Sequence, residues 1–218
     1  MAQNFQGLVS FLITLILATA FLIIIARSFN SVIKAIIIQA LLLVALSITL
    51  GWTTGIYEMY IAALLTLVVK AGIIPFILNK AVGRVAISRG CESLLSMKMT
   101  LLFSLFLVFI AYLATGHVIG KGSGLIHEAL PAAISLMLIG LFMMMNRKLA
   151  IMQIVGLVVM ENGIFLAGIG TTNGMPLVIE FGIFLDILVG VLIMGVLVFR
   201  INRSFDTIDT KNLRNLRG

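Results

Sequence analysis

The sequence predicts an all-α, polytopic membrane protein with seven transmembrane helices. Hydrophobic residues make up 61% of the 218 residues and charged residues only 11%, and the mean hydropathy is +1.23. A soluble fold of this length must also cover a polar surface, so it does not carry so much apolar sequence. The apolar stretches reach the roughly 17–25 residues that cross a bilayer as a helix. The single cysteine, Cys91, leaves no disulfide framework.

The predicted spans are the seven apolar stretches at 5–26, 31–51, 56–78, 95–115, 129–146, 149–170 and 176–199. The first is interpreted as a retained span rather than a signal peptide, because no basic segment precedes Ala18–Ala20 and apolar sequence continues after it. This pattern divides the chain into a four-helix region at 1–128, a three-helix region at 129–199 and a basic tail at 200–218.

The connections between spans alternate in charge and predict the orientation. Those of one side hold most of the basic residues: Arg27, Lys80, Arg84, Arg89, Lys98, Arg147, Lys148, Arg200, Arg203, Lys211, Arg214 and Arg217. Those of the other side hold Lys121. The positive-inside rule therefore places the N-terminus outside and the C-terminus, with loop 79–94, in the cytoplasm, and loop 116–128 outside. Topology accounts for the formal charge of +7, so no nucleic-acid partner is predicted. Loop 79–94 orients the helices; anionic lipid or a protein partner is the alternative use.

Three ionisable residues lie deep within predicted spans: Lys70, Glu161 and Asp186. Glu161 lies about twelve residues into the apolar run that begins after Lys148. At about 1.5 Å of rise per residue this is about 18 Å deep, near the bilayer centre. Each such group costs at least ~2.5 kcal/mol to insert, so each is expected to face protein or internal water. Burial disfavours the charged form of acids and lysines alike, which suits a group that takes up and releases protons. The alternative is a static ion pair of Lys70 with Asp186 or Glu161.

Four further polar residues are secondary candidates. Lys34 lies close enough to the cytoplasmic boundary to reach the headgroups, and Glu58 and Glu180 lie close to the outer boundary. Gln39 belongs with buried neighbours that either hold water or bridge helices, namely Thr66, Gln153 and Asn162.

Motifs for metal, nucleotide or redox-cofactor binding are not found in the sequence. His117 and His127 lie ten residues apart without a cluster of Cys or Asp, which does not make a metal site. P-loop, CxxC and HExxH patterns are lacking as well. We therefore expect a non-catalytic subunit whose energy source lies in another chain.

Several parts of the chain resemble hydrogenase-4 component E (HyfE). They are the stretches 153–167 and 180–190, the tail 205–218, and Lys70 with Pro75. HyfE is a membrane subunit of formate-hydrogenlyase-type and related group 4 [NiFe]-hydrogenase complexes. The last three helices are similar to NuoK of complex I, which carries two membrane glutamates in its proton path. Asp186, followed by Gly190, takes the place of one of them. Glu161 lies one helical turn beyond the place of the other.

The resemblance implies a subunit of a complex-I-related hydrogenase membrane arm in the inner (plasma) membrane of a prokaryote. Glu161 and Asp186 would relay protons or sodium ions, with Lys70 as their charge partner. The expected partners are antiporter-like and NuoH-like membrane subunits, membrane lipid, and cytoplasmic hydrogenase subunits that hold the NiFe and iron–sulfur centres. This chain would hold no cofactor. A stand-alone ion transporter or channel, and a passive scaffold between antiporter-like subunits, are the alternatives.

Overall fold

The computed structural model describes residues 2–85, 93–119, 124–172 and the single residue 195. The helices are α1 Ala2–Ile25, α2 Phe29–Thr54, α3 Glu58–Thr66, α4 Ile74–Val85, α5 Met97–Ile119, α6 Leu125–Asn146 and α7 Ala150–Thr172, and a π-helical segment, Leu67–Ile73, joins α3 to α4. The described ranges otherwise hold turns, short connections and one isolated antiparallel bridge, between Ser93 and Arg147. The predicted all-α class is confirmed.

Six helices in the described ranges are long and apolar enough to cross a membrane: Phe5–Ile25, Phe29–Thr54, Glu58–Asn79, Met97–His117, Leu125–Asn146 and Ile151–Thr171. They correspond in order to the first six predicted spans. The seventh predicted span, 176–199, lies outside the described residues apart from the single residue 195, and the tail, 200–218, lies outside them entirely. Glu180 and Asp186 are among the residues that are not described.

Two predicted loops are shorter than expected. Helix α4 continues to Val85, so that the first part of the predicted loop 79–94 is helical. At the opposite side of the membrane, α5 continues to Ile119 and α6 begins at Leu125, which shortens the predicted loop 116–128. Hydropathy detects only the lipid-buried part of a helix, whereas backbone hydrogen bonds continue into the interface.

The third span contains the π-helical segment, which hydropathy did not predict. In this segment the backbone N–H of Ile74 bonds to the carbonyl of Val69, five residues earlier. Pro75 follows directly. A proline ring clashes with the carbonyl four residues before it in a regular α-helix, and the wider π turn relieves such a conflict. The segment places Lys70 at its centre.

Helices α6 and α7 pack closely through small residues. Gly156, Gly163 and Gly170 recur every seventh residue of α7, and a Cβ atom at Gly163 would lie 2.7 Å from the carbonyl oxygen of Ala133 in α6. Small residues allow helix backbones to approach closely where no hydrophobic force drives association. Helix α7 is the most buried of the six spans. In its apolar part 72% of the residues are buried inside the bundle, against 22% for α5.

The two ends of the bundle carry different contacts. At one end, the guanidinium of Arg147 donates to the carbonyl of Ile24 in the last turn of α1, at 2.9 Å. The backbone N–H of Leu94 donates there to the carbonyl of Asn146, at 2.8 Å. At the other end, the hydroxyl of Ser10 donates to the carboxylate of Glu128. We refer to these as the Arg147 end and the Glu128 end.

Candidate functional site: a buried ion pair

A lysine and a glutamate meet in the interior of the bundle. Lys70 Nζ lies 2.6 Å from Glu161 Oε1, and the two side chains are 0% and 2% exposed. Lys70 comes from the π-helical segment and Glu161 from the middle of α7. Two ions taken out of water pay a large desolvation cost, which their attraction offsets only with good geometry and further hydrogen bonds.

Two amides supply those further hydrogen bonds. Lys70 Nζ donates to Asn162 Oδ1 at 2.9 Å, and Asn162 Nδ2 donates to Gln39 Oε1 at 3.0 Å. Gln39 Nε2 in turn donates to the carbonyl of Ile16 at 3.2 Å. The chain of bonds connects α1, α2, the π-helical segment and α7. We call Gln39, Lys70, Glu161 and Asn162 the polar cluster.

The surroundings of the cluster are apolar and aromatic. Lys70 Nζ lies 5.0 Å from the ring centroid of Phe165, one turn beyond Glu161 in α7, where a ring face attracts a cation. Glu161 Oε2 is buried without a hydrogen-bond partner among the described residues. The carboxylate therefore keeps an acceptor position that a proton or a water molecule can use.

The structure brings together three of the sequence-predicted residues, Lys70, Glu161 and Gln39. Of the two ion pairs left open for Lys70, the one with Glu161 is present in the described part of the chain. Asp186 and Glu180 lie outside it. Lys34 is exposed in α2, and Glu58 is partly exposed in the first turn of α3, so both lie at the surface of the bundle.

The polar neighbours separate into three kinds. Asn162 bridges helices, one of the two roles that the sequence left open for it, and it also binds Lys70 directly, which was not predicted. Gln153 instead donates to the carbonyl of Arg147, at the end of the bundle. Thr66 is fully buried, one turn from Lys70.

Two contributors were missed at the sequence level. The contact of Phe165 with Lys70 has a weak signal, since Phe165 lies four residues after Glu161 on the same face. The sequence predicts Arg147 to be a loop cation, yet it is 3% exposed. No sequence signal indicated that it would bind the free carbonyls at the end of α1.

Within 2–85, 93–119 and 124–172, no group of three or more His, Cys, Asp or Glu residues is placed to hold a metal ion. His117 Nδ1 lies 3.0 Å from the carbonyl of Leu113 in its own helix. The polar cluster itself offers a carboxylate and an ammonium, two groups that can take up and release protons.

Comparison with known proteins assigns the class. Residues 129–218 match the family of NADH-ubiquinone/plastoquinone oxidoreductase chain 4L. No solved structure matches the chain. The helical bundle and the chain 4L match together define a complex-I-related membrane subunit.

Relatives along nearly the whole chain narrow that class. The uncharacterized protein Rv0085 of Mycobacterium tuberculosis is 31% identical over 215 residues, which cover 98% of each chain. Hydrogenase-4 component E of Escherichia coli K12 is 27% identical over 181 residues, 83% of each chain, and that of Shigella flexneri matches equally. This chain belongs to the hydrogenase-4 component E-like family of membrane subunits, as the sequence resemblance predicted.

Proposed function

We propose that this subunit contributes the Lys70–Glu161 pair to an ion-translocation path, in a membrane arm coupled to hydrogenase chemistry in other subunits. Glu161 takes up and releases the proton, and Lys70 holds the compensating charge. The observation that carries the proposal is the ion pair itself, at 2.6 Å and buried in the middle of two membrane helices.

The depth of the pair makes an exchange role chemically reasonable. A buried ion pair is poor at stabilising a fold compared with apolar residues of the same volume. Ionisable residues inside a membrane bundle are accordingly rare and most often mark ion pathways. The unpartnered oxygen of Glu161 supports this role, because a purely structural carboxylate would be expected to use both oxygens.

The partners and location follow the family. We propose antiporter-like and NuoH-like membrane subunits as neighbours, cytoplasmic hydrogenase subunits as the carriers of the NiFe and iron–sulfur centres, and formate or another low-potential donor as the source of electrons. The membrane is proposed to be the plasma membrane of a prokaryote. The Arg147 end is proposed to face the cytoplasm, because the described basic residues Arg27, Lys98 and Lys148 lie at that end with Arg147. Asp186, beyond the described residues, is proposed as a second relay site.

The test is proton translocation in sealed native membrane vesicles with Glu161→Gln, which keeps the size of the side chain but cannot take up a proton. We expect translocation to fall by about 100-fold or more, the typical contribution of a positioned proton-transfer group, while subunit levels stay normal. Glu58→Gln is the matched control, since Glu58 is a partly exposed acid at the end of a span.

A passive scaffold makes a different prediction. If the pair is static, the double variant Lys70→Met with Glu161→Met removes both charges together and should translocate normally once assembled. Translocation in that assembled double variant would contradict the proposal. Ion movement by the purified single chain would favour a stand-alone transporter instead.

A further inference from the structure

Two buried hydroxyls differ from their counterparts elsewhere in the bundle. Ser47 Oγ in α2 and Thr66 Oγ1 at the end of α3 have no hydrogen-bond partner among the described residues. Other buried hydroxyls donate to a carbonyl of their own preceding turn, as in Ser104, Thr115 and Ser135. A buried polar group without a protein partner is normally satisfied by internal water.

The register between α2 and the third span locates these hydroxyls. Gln39 and Lys70 lie level with each other, because both bind Asn162. Nearer the Glu128 end, a Cβ atom at Gly51 would lie 3.1 Å from Cβ of Met59. The two contacts fix an antiparallel alignment of the helices.

With this alignment, both hydroxyls lie on the same side of the ion pair. Thr66 is one turn from Lys70, about 6 Å along the axis of the third span at the α-helical rise. Ser47 is two turns from Gln39, about 12 Å along the axis of α2. Both hydroxyls therefore lie nearer the Glu128 end than the ion pair does.

A cavity lies at the end of this series. It has a volume of about 590 Å³ and is open to the surface at the Glu128 end. Gln6, Thr53 and Glu128 give it polar walls, and Leu50, one turn from Ser47, forms part of its lining. The cavity thus reaches α2 at a residue one helical turn beyond Ser47.

The half of α2, α4 and α7 that lies toward the Arg147 end has no buried hydroxyl among its described residues. Between the polar cluster and the Arg147 end, the buried side chains of α2, α4 and α7 in the described chain are apolar. They include Val32, Ile36, Ile74, Leu78, Val155 and Val158. Closely packed aliphatic side chains leave neither room nor hydrogen-bond partners for water.

We propose that Glu161 exchanges its proton with the Glu128 end of the bundle, through water held by Thr66 and Ser47, and that the aliphatic layer closes it from the Arg147 end. This rests on the proposed function and adds the side from which the site is reached. In the step, the O–H bond of the protonated carboxyl breaks and a new O–H bond forms on the neighbouring water. The carboxylate left behind is neutralised by Lys70, and no electron is transferred.

The first experiment measures access directly. Single cysteines are introduced into the complete complex, in sealed native vesicles, after Cys91→Ser. The sites are Ser47→Cys and Thr66→Cys on the proposed path and Ile36→Cys and Ile74→Cys on the aliphatic side. Silver ion, which is small and reacts with thiols, is added to one side at a time, and mass spectrometry measures the thiol that remains.

We expect silver added at the Glu128 end to react with the cysteines at 47 and 66 about tenfold or more faster than with those at 36 and 74, because thiol reaction requires solvent access. Silver added at the Arg147 end should react slowly with all four. Equal reaction at the four sites, or faster reaction at 36 and 74, would overturn the proposal. Only variants that assemble at normal levels are compared.

The second experiment separates this inference from the proposed function. Thr66→Val and Ser47→Ala should each slow proton translocation about fivefold. This is the change in rate that corresponds to the loss of one neutral hydrogen bond. Ser135→Ala, whose hydroxyl is engaged by its own helix, should not. If Glu161→Gln abolishes translocation but Thr66→Val and Ser47→Ala leave it unchanged, the access path is wrong and the relay stands. If Glu161→Gln leaves translocation unchanged, the relay itself is wrong.

Discussion

Helix α7 has two faces that use opposite means of holding helices together. The face toward α6 carries Gly156, Gly163 and Gly170, and brings backbone against backbone. The face toward α2 and the third span carries Glu161 and Asn162, and connects to Lys70 and Gln39 through charged and amide groups. The first face holds its neighbour by close packing, and the second by an ion pair and hydrogen bonds.

The difference shows how a membrane bundle can keep a costly polar cluster in place. The glycine face tolerates almost no change in the distance between α6 and α7, so it fixes the position of α7. Glu161 is then held at the depth of Lys70 by the backbone rather than by the ion pair alone. The position of the polar face therefore does not depend on the ion pair alone.

The largest effect is expected on the glycine face. Gly163→Leu would drive a side chain into the backbone of α6, where even a Cβ atom would be 2.7 Å from the carbonyl of Ala133. Overpacking costs typically about 1–3 kcal/mol and more when backbone must move, so we expect the subunit to be lost from membranes, as measured by immunoblot. Gly116→Leu is the control, since nothing lies within 4 Å of the corresponding Cβ. Normal accumulation of Gly163→Leu would show that the glycine face does not fix α7.

A smaller but still large effect is expected from removing one charge of the polar cluster. Lys70→Met leaves Glu161 buried without its counterion and should lower the stability of the complex by about 3–5 kcal/mol. The double variant with Glu161→Met should regain most of that loss. Thermal denaturation of the purified complex measures both, with Lys34→Met, at an exposed lysine, as the control. Strictly additive losses in the double variant would contradict a coupled pair.

The smallest effect is expected from Gln39, the amide of the polar cluster that does not contact the ion pair directly. Gln39→Met keeps the side-chain volume but removes the acceptor for Asn162, a neutral hydrogen bond worth about 1 kcal/mol. The same thermal assay should show a shift well below that of Lys70→Met. A shift equal to that of Lys70→Met would mean that Gln39, rather than the ion pair, holds the cluster together.

Hydropathy was sufficient to predict the six spans in the described residues, because each span must be apolar along its whole length. It also singled out Lys70 and Glu161, whose charges interrupt those spans. Their pairing was left open, because the choice between Glu161 and Asp186 depends on how helices distant in the chain pack. Packing of that kind is decided by small-residue contacts, such as Gly163 on Ala133, that leave no periodic signal in hydropathy.

The π-helical segment was missed for a related reason. A π turn changes the backbone hydrogen bonds of Leu67–Ile73 without changing their hydropathy. Pro75 predicts that the regular α-helix is interrupted, but a kink, a break and a widened turn are equally compatible with one proline. The loop lengths failed differently, since helices such as α5 continue past the apolar core.

The distance along the chain between the members of the polar cluster has a consequence for synthesis. Lys70 precedes Asn162, its hydrogen-bond partner, by 92 residues. At about 5–20 residues per second, the third span waits roughly 5–18 seconds for α7 to be translated. During this interval its lysine has neither Glu161 nor Asn162 beside it. The nascent chain must therefore keep this helix at the insertion machinery, or in contact with a subunit already present, until α7 enters the bilayer.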